Sequence, residues 1–204
     1  MILYDELMPA PNPRRVRIFL AEKGLEIEKV RVPIRERAHK APDYVAKNSL
    51  GQLPALELGD GTIIAESVSI CRYLEEQNPE PALFGKNALE RARVDMWIRR
   101  IEFQLMNPVG QFWRHAHPLT ASLIEQHRDF GESNRAHVDR AYRWLDKELA
   151  DGREWVAGEA YSMADIVALS TVDFGKFIGL QPPDDCKNVA AWYARASARP
   201  SAAA

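Results

Sequence analysis

An α+β fold in two parts, a small mixed domain followed by an all-helical one, is what this sequence predicts, and three observations predict it. The first is the order of elements: residues 2–32 read strand, helix, strand, and residues 53–76 read strand, strand, helix. The second is Asn78-Pro79-Glu80-Pro81, a stiff polar tetrapeptide that interrupts both periodicities. The third is the remainder of the chain, where apolar residues recur at helical spacing and no convincing strand appears. The expected organisation is a mixed domain over 1–78, a linker over 79–86 and a helical-bundle domain over 87–204. The 204 residues suffice for a real core in each part.

The elements follow in order. Ile2-Leu3-Tyr4 is a short apolar run suited to a buried strand, with Tyr4 expected in the core. Pro9, Pro11 and Pro13 then keep the backbone irregular until about residue 13. Val16, Phe19 and Leu20 share a helical face, and Lys23-Gly24 closes that helix with a basic last turn and a left-handed cap. Glu28, Val30 and Val32 alternate as a second strand, which the handedness rule makes parallel to the first. Residues 33–50 read as polar and irregular. Two strands joined by Asp60-Gly61 form an antiparallel hairpin, and a helix runs from about Glu66 to Glu76.

Beyond the linker, Leu89, Met96, Trp97, Ile101 and Leu105 mark a long helix that Pro108 ends or kinks. Val138, Ala141, Leu145 and Leu149 mark a second, ended by Gly152. Residues 163–178 form a third, and Val189, Trp192 and Ala196 mark the last. Ser162 and Asp165 make an S-x-x-D capping box, with Tyr161 and Ile166 as its hydrophobic staple. That box, with no suitable G-x-S-x-G turn, removes a hydrolase reading of the same pair.

Composition excludes several classes. Apolar residues make up 46% and charged residues 27%, as in soluble globular chains, and no apolar run reaches membrane-spanning length. The start MILYDELMPA lacks the basic, then apolar, pattern of a secretory signal. A net charge of −2 gives no electrostatic case for nucleic acid, and Arg14, Arg15 and Arg17 read as a solvated face. Two distant cysteines, Cys71 and Cys186, form neither a disulfide framework nor a metal cluster and favour a reducing, cytoplasmic setting. His115-x-His117 lacks a third ligand, so no metal is expected.

The candidate site lies in GQLPALELGDGTIIAES, residues 51–67. Pro54 stands at the mouth of a strand, where it donates no hydrogen bond. It either guards an edge or belongs to a special turn in a cis bond. Glu66-Ser67 stands at a helix start, where Ser67 is either a cap or part of an anion site, because helix N-termini present unpaired N–H groups and partial positive charge.

The β-α-β, β-β-α order with a proline leading the third strand, together with NSLGQLPALE, AES, GEAYSMADI and a helical second half, resembles the cytosolic glutathione transferase superfamily. The resemblance covers essentially the whole chain, and it implies a thioredoxin-like first domain. It further implies a cis Leu53-Pro54 bond that presents the Leu53 backbone to the cysteinyl residue of glutathione. Ser67 is implied to hold the γ-glutamyl carboxylate, and Glu66 to orient that end of the peptide. AHKAPDYVAKNSLGQLP resembles the theta-class pattern, in which His39, Lys40 and Gln52 would meet the glycyl carboxylate.

Activation of the thiol is the departure. In register with serine-type relatives, their serine falls on Ala10, which has no donor. Asn12 in Pro-Asn-Pro resembles the asparagine of the Thr-Pro-Asn loop in bacterial nu-class transferases, which would make it the group beside the sulfur. The competing reading is Asn12 as N-cap with Pro13 at N1. By resemblance the protein is a homodimer and a glutathione transferase, with glutathione as co-substrate and conjugation, peroxide reduction or disulfide reduction as its chemistry. The alternative is a non-catalytic binding or assembly module of the same fold. Trp97, Phe103, Phe112, Trp113 and Trp155 read as core, with one or two from Phe103 to Trp113 lining the pocket for the second substrate.

Overall fold

Four strands in the order β2-β1-β3-β4 make the sheet of a computed structural model that describes residues 1–7 and 10–204. Met8 and Pro9 lie outside the described residues, and with them the first of the prolines expected after the first strand. The chain divides into two compact units, Met1–Leu83 with Pro200–Ala204, and Phe84–Arg199.

In the first unit β1 (Ile2–Asp5) pairs in parallel with β2 (Glu28–Arg31), with Ile2 opposite Glu28. It pairs antiparallel with β3 (Ala55–Glu57), with Leu3 opposite Leu56. The Asp60-Gly61 turn returns the chain antiparallel into β4 (Ile63–Ala65). Helix α1 (Pro11–Lys23) ends on Gly24 at φ 62°, whose N–H reaches the Ala21 carbonyl. The 33–50 stretch is more regular than expected, with a 3₁₀ turn at Ala38–Lys40 and α2 (Pro42–Lys47). Pro42 starts that helix rather than breaking it, because its missing N–H falls where no helical partner exists. Helix α3 (Ser67–Gln77) completes the unit.

Leu3, Val16, Ile18, Phe19, Leu56, Ile70 and Leu74 are fully buried and form the first unit's core. Tyr4 stands only half-buried, because its hydroxyl donates 2.6 Å to Glu57. The arginines of α1 do not form a solvated face. Arg15 is 2% exposed, and Arg17 bonds to Asp5 at 2.8 Å. The last residues, which the sequence reading gave to the helical domain, pack with the first unit instead. Arg14 donates to the Ala202 carbonyl at 2.7 Å, and Ser201 to Glu22.

The second unit is helical: α4 (Ala88–Ile101), α5 (Asn107–His115), α6 (Arg128–Glu148), α7 (Met163–Phe177) and α8 (Lys187–Ser197). Pro108 neither ends the long helix nor breaks it. A π turn at Glu102–Met106 joins α4 to α5, and Pro108 follows it in the first turn of α5. The expected apolar stripe of α4 is partly wrong, since Leu89 and Met96 are exposed while Val94, Trp97, Ile98 and Ile101 are buried. Residues 163–172 of α7 are buried on every side, as a central core helix requires. The capping box at its start is present. Asp165 accepts from the backbone N–H of Val156 and Ser162, the Ser162 hydroxyl and the Trp192 indole, between 2.8 and 3.1 Å.

Candidate glutathione site

Residues 48–54 are shaped by α2. The Gln52 carbonyl accepts from the Tyr44 hydroxyl at 2.7 Å and from the Asn48 amide at 2.9 Å. Gly51 sits at φ 53°, and a Cβ there would come within 2.6 Å of the His39 carbonyl oxygen. Only glycine fits such an approach at that backbone angle. Lys40 donates to the Leu50 carbonyl at 2.9 Å. The fold therefore brings His39 and Lys40, far from Gln52 in the chain, against the segment that carries Gln52. Burial, then the charges of Lys40 and Arg37, push the His39 pKa below its usual value. Its Nδ1 is buried with no hydrogen-bond partner. These effects favour the neutral form of the His39 ring.

Leu53 precedes Pro54 through a cis bond. Leu53 lies two residues before Ala55, the first paired residue of β3, so it stands outside the ladder.

The start of α3 forms the second part. Glu66 adopts φ 68° and ψ 118°, a conformation that costs a non-glycine residue roughly 1–3 kcal/mol. Its carbonyl accepts the first helical bond, from Ile70, and its side chain is exposed. Ser67, the first residue of α3, is 4% exposed. The N–H groups of such a first turn have no partner within the helix. Arg15 Nη1 approaches Ser67 Oγ at 3.4 Å from α1. Sequence reasoning missed this arginine, although a signal existed: Arg15 lies three and four residues from Ile18 and Phe19, on the buried stripe.

The third part is the start of α1. Ala10 is the N-cap and Pro11 the first helical residue, so Asn12 falls at the second helical position. Among the described residues no side chain caps this helix. The reading of Asn12 as N-cap before Pro13 is thereby corrected: Pro11 already supplies the fixed φ that starts a helix. Asp5, the last residue of β1, and Glu6 after it are both buried. Glu6 accepts from the N–H of Leu7 and Ile34 and from Arg31. Burial opposes ionisation of Glu6, but these donors outweigh it and hold the carboxyl below its usual range. Burial instead raises Asp5, against the pull of Arg17.

In the helical unit, Phe103 is 64% exposed rather than core. With Gln104, Asn134, His137, Arg140 and Trp144 it lines a cavity of about 330 Å³. Trp113 packs at an angle on His117 and edge-on to Phe174. His117 Nδ1 accepts from the Leu119 N–H, and among the described residues no group of three or more acids, histidines and cysteines is placed to hold a metal.

A proline-led third strand beside a helix N-terminus, in a thioredoxin-like unit followed by a helical one, defines a class, and comparison with known proteins gives the same class. Residues 10–77 match the family model of the glutathione S-transferase N-terminal domain, and residues 112–200 that of the C-terminal domain. The chain is 38% identical over 206 residues to glutathione S-transferase 2 of Saccharomyces cerevisiae, covering 98% of this chain and 87% of that protein. The crystal structure of Gtt2 from the same yeast superposes with a TM-score of 0.91 at 37% identity, covering 98% of each chain. A class Gtt2 transferase of Vibrio parahaemolyticus superposes with a TM-score of 0.86 at 35% identity, covering 98% of this chain and 95% of that one. The chain belongs to the glutathione S-transferase family, whose members use glutathione as co-substrate.

Proposed function

We propose that this protein is a glutathione transferase that delivers the glutathione thiolate to a small electrophile. Glutathione lies along the Leu53 backbone. Its γ-glutamyl carboxylate meets the Ser67 hydroxyl and N–H, with Glu66 orienting the ammonium end. Its glycyl carboxylate meets Lys40, His39 and the Gln52 side chain. The observation that supports this reading best is Ser67, a buried hydroxyl on the first residue of an eleven-residue helix, in a chain of this family. A carboxylate there is stabilised both by the unpaired N–H groups and by the helix dipole.

Asn12 is the side chain assigned to the sulfur. A thiol titrates near 8.5 in model peptides, and lowering it by two units requires about 2.7 kcal/mol in favour of the thiolate. An amide donor and the α1 N-terminus both contribute in that direction. Conjugation needs only this thiolate, whereas in peroxide reduction the thiolate takes one peroxide oxygen as a sulfenic acid, releasing the alcohol, and a second glutathione then forms glutathione disulfide and water. Disulfide reduction would use a second glutathione, since both Cys71 and Cys186 are buried. The chain also pairs with a copy of itself on this reading, supported by Leu89, Met96 and Phe103 exposed along α4 and the following turn. A monomeric mass in sedimentation at all concentrations would reject that pairing.

Ala10 favours one other reading. It places no hydroxyl where serine-type relatives carry theirs, which suits a binding module without turnover. Assays with glutathione and an aryl halide, a hydroperoxide or a mixed disulfide separate the two. Turnover of at least one, lost with excess S-alkyl glutathione, is the expected result. Glutathione binding with no turnover of any of the three would establish the module instead.

A further inference from the structure

Arg15 was expected in solvent, yet it is 2% exposed, and its Nη1 lies 3.4 Å from the Ser67 hydroxyl, itself on a residue only 4% exposed. We propose that Arg15 is the positioning residue of the carboxylate site at the start of α3. It orients the Ser67 hydroxyl toward the γ-glutamyl carboxylate and sets a fixed positive charge behind it. This rests on the reading of Ser67 as a glutathione ligand.

The argument begins with donor counting. A guanidinium carries only donors, and a serine hydroxyl carries one proton and two lone pairs. Ser67 Oγ must therefore accept from Arg15, and its own proton is left for a third group. With both residues buried, water does not compete for that arrangement. A bound carboxylate at the helix start offers the acceptor that the proton lacks. Arg15 acts through Ser67 rather than by touching the ligand.

Charge acts in the same sense. The guanidinium keeps its proton at any working pH. Its field extends along α3: burial pushes the Cys71 thiol up, and Arg15 is the charge that opposes this. A carboxylate at the first turn feels the same positive potential, added to that of the helix dipole.

The placement is rigid. Arg15 shares its face of α1 with Ile18 and Phe19, both 0% exposed. At their far ends α1 and α3 are tied by Lys23 Nζ, 2.5 Å from Glu75 Oε2. The distance between Arg15 and Ser67 is thus held by core packing on one side and an ion pair on the other.

The test is a binding titration of wild type, Arg15→Met, Arg15→Lys, Ser67→Ala and the Arg15→Met/Ser67→Ala double variant. The probes are glutathione and 4-aminobutyryl-cysteinyl-glycine, which lacks the α-carboxylate. Arg15→Met is expected to weaken glutathione about tenfold, the scale of a lost charged hydrogen bond. That loss should nearly vanish in the Ser67→Ala background and with the decarboxylated probe. In kinetics it should appear in KM for glutathione rather than in kcat. Arg15→Lys keeps the charge without the fork and should lose about threefold with glutathione and nothing with the other probe. If Arg15→Met does not fold, the lysine variant carries the same comparison. Unchanged glutathione affinity in the variants that fold, or an equal loss with both probes, would overturn the role of Arg15. A wild type that binds no glutathione, or a Ser67→Ala variant that binds it as tightly, would instead overturn the underlying reading of the site.

Discussion

The Tyr44 hydroxyl donates to the Gln52 carbonyl at 2.7 Å and so anchors the residue that leads into Leu53-Pro54. Burial pushes this phenol above its ordinary value, so it remains a donor across the working pH range. The bond makes α2 a support for the site rather than a linker between strands. Asn48 donates to the same oxygen and is itself buried.

Tyr44→Phe therefore removes one of two donors and leaves the carbonyl half-satisfied. The expected loss is about 1 kcal/mol of stability, the usual net value of such a bond. KM for glutathione should rise several-fold, because the Leu53 backbone is held less firmly. Urea denaturation and steady-state kinetics read the two effects separately. A stability loss with unchanged KM would mean that the strand, not α2, holds Leu53 in place.

If His39 meets the glycyl carboxylate as proposed, binding should depend on protons. Without ligand its pKa lies below the usual value, because of burial and then of Lys40 and Arg37. A glycyl carboxylate beside it favours the charged imidazolium and raises that pKa. Between the two values the complex binds a proton that the free protein does not. Affinity for glutathione should accordingly increase as pH falls from about 7.5 toward 6, with net proton uptake. Calorimetry in buffers of different ionisation enthalpy measures the uptake directly, and His39→Gln should abolish it. Wild-type binding without proton uptake in that window would remove His39 from the carboxylate site.

Much of this was legible in the sequence, for identifiable reasons. Asp60-Gly61 specified the hairpin, and the parallel pairing of β1 with β2 followed from chain handedness. The S-x-x-D box located the start of α7 because capping is a local interaction. What the sequence hid depends on tertiary placement. Arg15 reads as polar until α3 covers it. Asp165 reads as a cap, but the Trp192 indole that it also accepts comes from another helix. Glu66 in a positive-φ conformation has no residue-type signal, since glycine, not glutamate, is the expected occupant. Leu89 and Met96 matched a helical stripe yet are exposed, because periodicity assigns a face and not its burial.

Asn12 provides the sharpest separation of enzyme from binding module. With Ala10 as N-cap and Pro11 at the first helical position, the Asn12 side chain is not the cap of α1. Asn12→Ala should thus leave stability within about 0.5 kcal/mol of wild type, since alanine is the better helix former and no cap is lost. If the amide stabilises the sulfur, the same change should raise the pKa of bound glutathione and lower turnover. Ground-state affinity should stay nearly intact, because on the proposed reading Leu53, Glu66 and Ser67 carry the binding of the peptide and the amide favours the charged sulfur over the neutral thiol. Ultraviolet absorbance of the bound thiolate against pH, recorded beside a melting curve for each protein, measures both quantities. An unshifted titration with normal stability would leave the α1 N-terminus as the activating group: Pro11 and Pro13 have no N–H and that of Arg14 goes to the Ala10 carbonyl, so the backbone donor of the first turn is that of Asn12.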